Sequence, residues 1–114
     1  MGRQTVAMTK AEKAFDAFGD PTRRRVFERL RHRTRSVGEI ADGMDVSRPA
    51  VSQHLKVLQE AGLVTVRAEG TRRLYSVEPR GIKALRNWLD GFWDEALTAF
   101  KAAAERETVK ERKP

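Results

Sequence analysis

The sequence predicts a mainly α-helical domain with one small β-hairpin, its elements in the order α-α-α-α-β-β-α. Three observations carry this expectation. Four stretches between residues 9 and 62 each open on a helix-capping residue and continue with apolar residues at helical spacing. Two short alternating runs flank the glycine-bearing turn EGTR. From Arg80 to about Glu105 the helical period returns.

The first helix starts at Thr9, with Glu12 three residues on as a capping-box partner; Ala11, Ala14, Phe15 and Phe18 give its apolar face and Gly19 ends it. Asp20 caps the second helix, and Pro21 occupies the first helical position, where a missing N–H costs nothing. Val26, Phe27 and Leu30 form its buried side. Ser36 and Glu39 make a second capping box, followed by Val37, Ile40, Ala41 and Met44. After a tight connection at Asp45 and Val46, Ser47 caps a fourth helix with Val51, Leu55 and Leu58 on its inner side and Ala61–Gly62 at its end. Residues 36–62 therefore read helix, turn, helix. Leu63, Val64, Val66 and Ala68, then Leu74, Tyr75 and Val77, form the two strands, which need the helices to pack on. Pro79 closes the hairpin. In the last helix Ile82, Leu85, Leu89, Phe92 and Ala96 share a face, with Trp93, Leu97 and Phe100 on its flank. Residues 1–8 read as a flexible arm, 9–105 as the folded domain and 106–114 as a flexible charged tail.

At 114 residues the chain is one small domain, short enough that a partner surface often completes its core. Lys and Arg outnumber Asp and Glu by 23 to 16, a net charge of +7, which suggests a polyanion partner. Composition alone does not separate nucleic acid from an anionic membrane, or either from a protein that is merely basic. Seven arginines against two acids lie between Asp20 and Arg35. No apolar run approaches the length of a membrane span, so none is expected, and the N-terminal residues lack the hydrophobic stretch of a signal peptide. Cysteine is absent, which excludes disulfides and thiolate metal ligands within the chain.

The fourth helix carries the candidate chemistry. With Val51, Leu55 and Leu58 directed to the core, Arg48, Ser52, Gln53, Lys56 and Gln59 point outward, and no acid interrupts this face before Glu60. A major groove admits one helix, read by its N-terminal residues. Arg48 can donate two hydrogen bonds to guanine, Gln53 can pair with adenine, Ser47 and Ser52 can reach phosphate or base, and Lys56 is placed for phosphate. Pro49 shares the same first turn. The less favoured alternative is that Arg48 and Lys56 are solvated charges, and Gln53 is a weaker candidate than either. His54, between the outer and inner sides, reads either as a half-buried hydrogen-bonded histidine or as a phosphate contact. At the hairpin tip Arg67, Arg72 and Arg73 face one acid, Glu69, and Gly70 permits a close turn; such a tip can lie along the backbone or enter the minor groove. Arg72 is the better contact candidate, since Arg73 adjoins Leu74 in the strand.

The last helix is apolar over too wide an arc to be covered from one side. Leu85, Trp88, Leu89, Phe92, Trp93, Leu97 and Phe100, joined by Phe15 and Phe18, give a candidate dimer interface, and twofold homodimers are the commonest assembly. The alternative is that Trp88 and Trp93 complete the core of a monomer.

The words FDAFGDPTRRRVFERL, SVGEIADGMDVSRPAVSQHLKVLQEAGLV and AEGTRRLYSV resemble the ArsR-type winged helix-turn-helix transcriptional regulators, over roughly residues 9–100. VSQHLKVLQEAGLV is the most specific part. The resemblance implies a winged helix-turn-helix fold, a cytoplasmic homodimer held by the first and last helices, and double-stranded operator DNA as partner, usually for repression. It places the recognition helix at Ser47–Glu60 and the wing at Val64–Val77. Two departures stand out. Asp45 occupies the turn position where many such units have glycine. The cysteine pair of metal-sensing relatives is missing from SVGEIADGM, and the last helix has no histidine to join Asp90, Asp94 or Glu95. No metal and no cofactor are therefore expected, and the inducer, ligand or protein, stays open. The alternative function is a winged-helix module that binds protein without sequence-specific DNA recognition. An enzyme is not expected: the chain has no GxGxxG, GxxxxGK[ST] or HExxH, and Ser52 and His54, two apart on a helix, do not face each other. A membrane-surface helix is disfavoured by Asp90, Asp94 and Glu95 on the most apolar segment.

Overall fold

The computed structural model describes residues 7–111. Its elements are α1 (Lys10–Phe18), α2 (Pro21–Glu28), β1 (Arg35–Ser36), α3 (Val37–Asp42), α4 (Arg48–Glu60), β2 (Val64–Glu69), β3 (Arg72–Val77) and α5 (Pro79–Glu111). The four helix starts expected from capping residues are present. Thr9 and Glu12 close one capping box and Ser36 and Glu39 another, while Asp20 accepts from the backbone amides of Thr22 and Arg23. Ser47 accepts from Ala50 at 3.3 Å. The end of α4 is a left-handed Gly62 with φ +75°, where the Leu63 amide donates to the Leu58 carbonyl and the Gly62 amide to that of Gln59.

The core lies where α2, α3 and α4 meet the sheet. Val26, Ile40, Val51, Leu55, Leu58 and Leu63 are fully enclosed. Tyr75 and Val64 extend this cluster into the strands, and Ala14 and Ala17 tie α1 to it. β2 and β3 pair antiparallel from Val64↔Val77 to Glu69↔Arg72, which leaves a two-residue turn, Gly70–Thr71, with Gly70 at φ +63°.

Two features depart from the expected order. A third strand, β1, pairs with β3 through Arg35↔Tyr75 and Ser36↔Leu74, so the hairpin is part of a three-stranded sheet in the order β1-β3-β2. Two residues carry no alternation, and only the packing of α3 against β3 brings them into register. The second departure is at the C-terminus. The expected helix end near 105 and the charged tail from 106 give way to an α5 that runs through Glu111. Ala, Glu, Lys and Arg dominate 101–111, with no glycine or proline to stop the helix. Residues 1–6 of the expected arm, and 112–114, lie outside the described residues.

α5 starts against the Gly62–Leu63 turn and passes α1, where Trp88 meets Phe15 edge-on at 4.9 Å and stacks on Phe92 at 5.8 Å. Beyond that it projects. The radius of gyration is 20.5 Å, against about 13 Å for a compact chain of this length.

Candidate nucleic-acid interface

α4 presents the face expected of it. Ser47, Arg48, Pro49, Ser52, Gln53 and Lys56 are exposed, as are Gln59 and Glu60. The pattern arises because a stripe at 51, 55 and 58 is buried and the capped first turn fixes the helix's rotation. Arg48 folds toward α3: a Cβ built on Gly38 would lie 3.2 Å from its Nη2. His54 differs from its neighbours. It is half-buried, and its Nδ1 is enclosed without a hydrogen-bond partner among the described residues, so it belongs more to the inner side than to the outward face.

The wing brings its arginines onto different faces. Cross-strand pairing puts Arg72 with Glu69, and Arg67 with Leu74, on one side of the ribbon; Arg73, opposite Ala68, is on the side that carries Tyr75. Arg67 sits 3.4 Å from Glu69, while Arg73 is exposed and has no ion pair among the described residues. Arg72 reaches back to the helix-turn-helix unit, donating to Glu39 Oε1 at 2.6 Å. Arg33 donates to the other oxygen, Glu39 Oε2, at 2.8 Å. Glu39 also accepts from the Ser36 amide at 3.0 Å. That amide first, then the Ser36 hydroxyl, then Arg72 and Arg33 hold the Glu39 carboxyl below the usual range, against an opposing effect of burial. Glu39 thus ties the wing, through Arg72, to the first turn of α3, whose Gly38 lies next to the Arg48 side chain.

Sequence reasoning took Glu39 only as a capping partner. It missed the carboxylate's second role because the partner Arg72 is far away in the chain. The arginine-rich stretch 20–35 also proves largely structural. Arg23 and Arg24 donate to the Ala17 and Phe18 carbonyls at the end of α1, Arg29 to the Glu39 carbonyl, and Arg35 to the Arg29 carbonyl. Their charge remains, but these side chains are occupied in holding helices together.

The aromatic face of α5 is open. Phe92, Trp93, Leu97 and Phe100 are between 57% and 72% exposed, and Phe15, Trp88 and Leu89 are also exposed. Phe18 and Leu85, also expected in that interface, are half-buried and packed against the protomer's own core, Phe18 edge-on to Phe27 at 5.2 Å. Among the described residues no helix is long and apolar enough to cross a membrane.

A helix-turn-helix domain family matches residues 18–67, which span α2 to the middle of β2. The HTH-type transcriptional regulator Rv2034 of Mycobacterium tuberculosis is 51% identical over 84% of this chain and 90% of that protein. The crystal structure of a possible transcriptional regulator for arsenical resistance, 39% identical, superposes with a TM-score of 0.66 over 85% of this chain and 97% of that one. This chain belongs to the ArsR-type winged helix-turn-helix transcriptional regulators. As a member of that family it is a DNA-binding regulator and not an enzyme. The transcriptional repressor SdpR of Bacillus subtilis is 31% identical over 68% of this regulator and 87% of its own length. A Mycobacterium bovis domain described as a homodimeric winged helix-turn-helix DNA-binding domain is 26% identical, with a TM-score of 0.61 over 77% of this regulator and 82% of that chain.

Proposed function

We propose that this regulator is a cytoplasmic homodimeric repressor that reads operator DNA with α4 in the major groove and touches backbone or minor groove with the wing. The observation that carries this reading is the exposed face of α4, which bears no acid before Glu60, together with a basic wing whose Arg72 is held against the first turn of α3. A phosphate field repels carboxylates, so a helix meant for the groove keeps them off its outer face. Arg48 and Gln53 read base edges, Ser47, Pro49 and Ser52 shape the first turn against the DNA, and Lys56, Arg67, Arg72 and Arg73 meet phosphate or sugar. Similarity to a named repressor and to a homodimeric domain supports the repressing and dimeric parts of the reading. With no cysteine in the chain, the signal that relieves repression is not a thiolate-bound metal or a thiol oxidation. A purely protein-binding module is disfavoured because the exposed apolar residues gather on α5 and α1, away from α4 and the wing.

The roles divide by experiment. Arg48→Ala is expected to lower discrimination between operator and scrambled duplex by about 1–3 kcal/mol. Lys56→Ala is expected to weaken both duplexes alike and to flatten the salt slope by about 1 for each phosphate no longer neutralised. Equal loss of discrimination from both variants would overturn the assignment.

A further inference from the structure

The group formed by Glu39, Arg72 and Arg33 lies beside the start of α4, and it is built from three separate parts of the chain. Arg33 comes from the segment before β1, Glu39 from the first turn of α3 and Arg72 from the tip of the wing. The two guanidinium groups each take one oxygen of the same carboxylate, at 2.8 and 2.6 Å. Both arginine side chains are more than half exposed, at 59% and 57%, whereas the Glu39 side chain is 31% exposed and its carboxylate is anchored by the Ser36 amide. Two arginines that hold a two-oxygen anion at the edge of the proposed DNA-facing surface present the same donors that would grip a phosphate.

We propose that Glu39 is an internal stand-in for a DNA phosphate: it holds Arg72 and Arg33 in the free protein, and the DNA backbone must displace it to engage them. This rests on the proposed reading of α4 and the wing as the DNA-binding surface. Its consequence is a brake on indiscriminate binding. Any duplex offers phosphates, but only a site that seats α4 correctly gains enough from base contacts to offset loss of the Glu39 pairs. Glu39 therefore lowers the affinity for a duplex without touching a base, and it does so as a positioning residue acting through Arg72 and Arg33.

The substitution Glu39→Gln isolates the charge, because glutamine still completes a capping box with Ser36. Binding of a short mixed-sequence duplex is measured against salt for the wild type, Glu39→Gln, Arg72→Ala and the double variant, with thermal unfolding of each as a check on folding. Glu39→Gln is expected to tighten binding by about threefold per protomer, the scale of an exposed ion pair. It is also expected to steepen the plot of log affinity against log salt by about 1 for each arginine released. Arg72→Ala should cost more in the Glu39→Gln background than in the wild type. Glu39→Asp keeps the acid but draws it back by one methylene, and it should move binding in the same direction; it also serves if the glutamine variant does not fold. Unchanged or weaker binding by Glu39→Gln, strict additivity with Arg72→Ala, or wild-type behaviour of Glu39→Asp would each overturn the proposal. Absence of salt-dependent duplex binding by the wild type would instead overturn the DNA-surface reading on which it stands.

Discussion

Gly81, in the first turn of α5, is buried, and a Cβ built there would overlap the carbonyl oxygen of Gly62 and crowd the Leu63 Cα. Both obstacles are backbone, so neither can swing aside. They belong to the left-handed turn that ends α4 and feeds β2, which makes this close approach the joint between the helix-turn-helix unit and the long helix. Gly81→Ala is expected to destabilise the fold by about 2 kcal/mol, the cost of overpacking a tight site. Urea unfolding measures it; an unchanged midpoint would show that the joint can open without cost. Arg48 has the opposite character. Its neighbour Gly38 leaves room for a flexible guanidinium, which can lift from α3 when DNA arrives.

At the scale of elements, the helix starts are carried by short-range polar contacts, and this gives them a pH dependence. Asp20 caps α2. The Arg23 amide first, then the Thr22 amide and the nearby His54 hold its carboxyl below the usual range, while desolvation opposes them. A carboxyl depressed on folding stabilises the native state above its unfolded pKa, and that contribution is lost as pH falls through the folded value. The contribution of Asp20 is therefore complete above about pH 5 and declines below about pH 4. Asp20→Asn keeps a good cap without the titrating group, so its melting temperature is expected to fall less than the wild type's between neutral and acid pH. Parallel curves would contradict this origin of acid lability. The same locality explains what was legible in the sequence. Thr9 with Glu12, Ser36 with Glu39, and the stripe of Val51, Leu55 and Leu58 each span a turn or two, so their spacing states the helix and its inner face. β1 was not legible, because two residues show no period and their partners Tyr75 and Leu74 are far along the chain. Nor was the link from Glu39 to Arg72, which exists only after the wing folds back on α3. The exposure of α4 could be read residue by residue, including the half-burial of His54; the hydrogen bond expected of that histidine is not made by its Nδ1 among the described residues.

The whole protomer leaves an apolar face uncovered. Phe15, Trp88, Leu89, Phe92, Trp93, Leu97 and Phe100 all stand exposed along α1 and α5, and the helix projects well beyond the core. Covering a large apolar side chain fully contributes roughly 1.5–3 kcal/mol before the cost of association. A second copy, offering the same face across a twofold axis, can supply that cover. The protein is expected to sediment as a dimer at micromolar concentration, and the double variant Phe92→Lys and Trp93→Lys as a monomer. A monomeric wild type would rule out the dimer. Dimerisation matters for recognition because it doubles the α4 contacts and demands a symmetric site. Hydroxyl-radical footprinting on a fragment selected from the source genome tests both at once. Two symmetry-related protected patches are expected, flanking the major-groove positions read by α4, and both should vanish in the double variant Arg48→Ala and Gln53→Ala. A single unsymmetrical patch, or a footprint unchanged by that variant, would contradict reading of DNA by a symmetric pair of α4 helices.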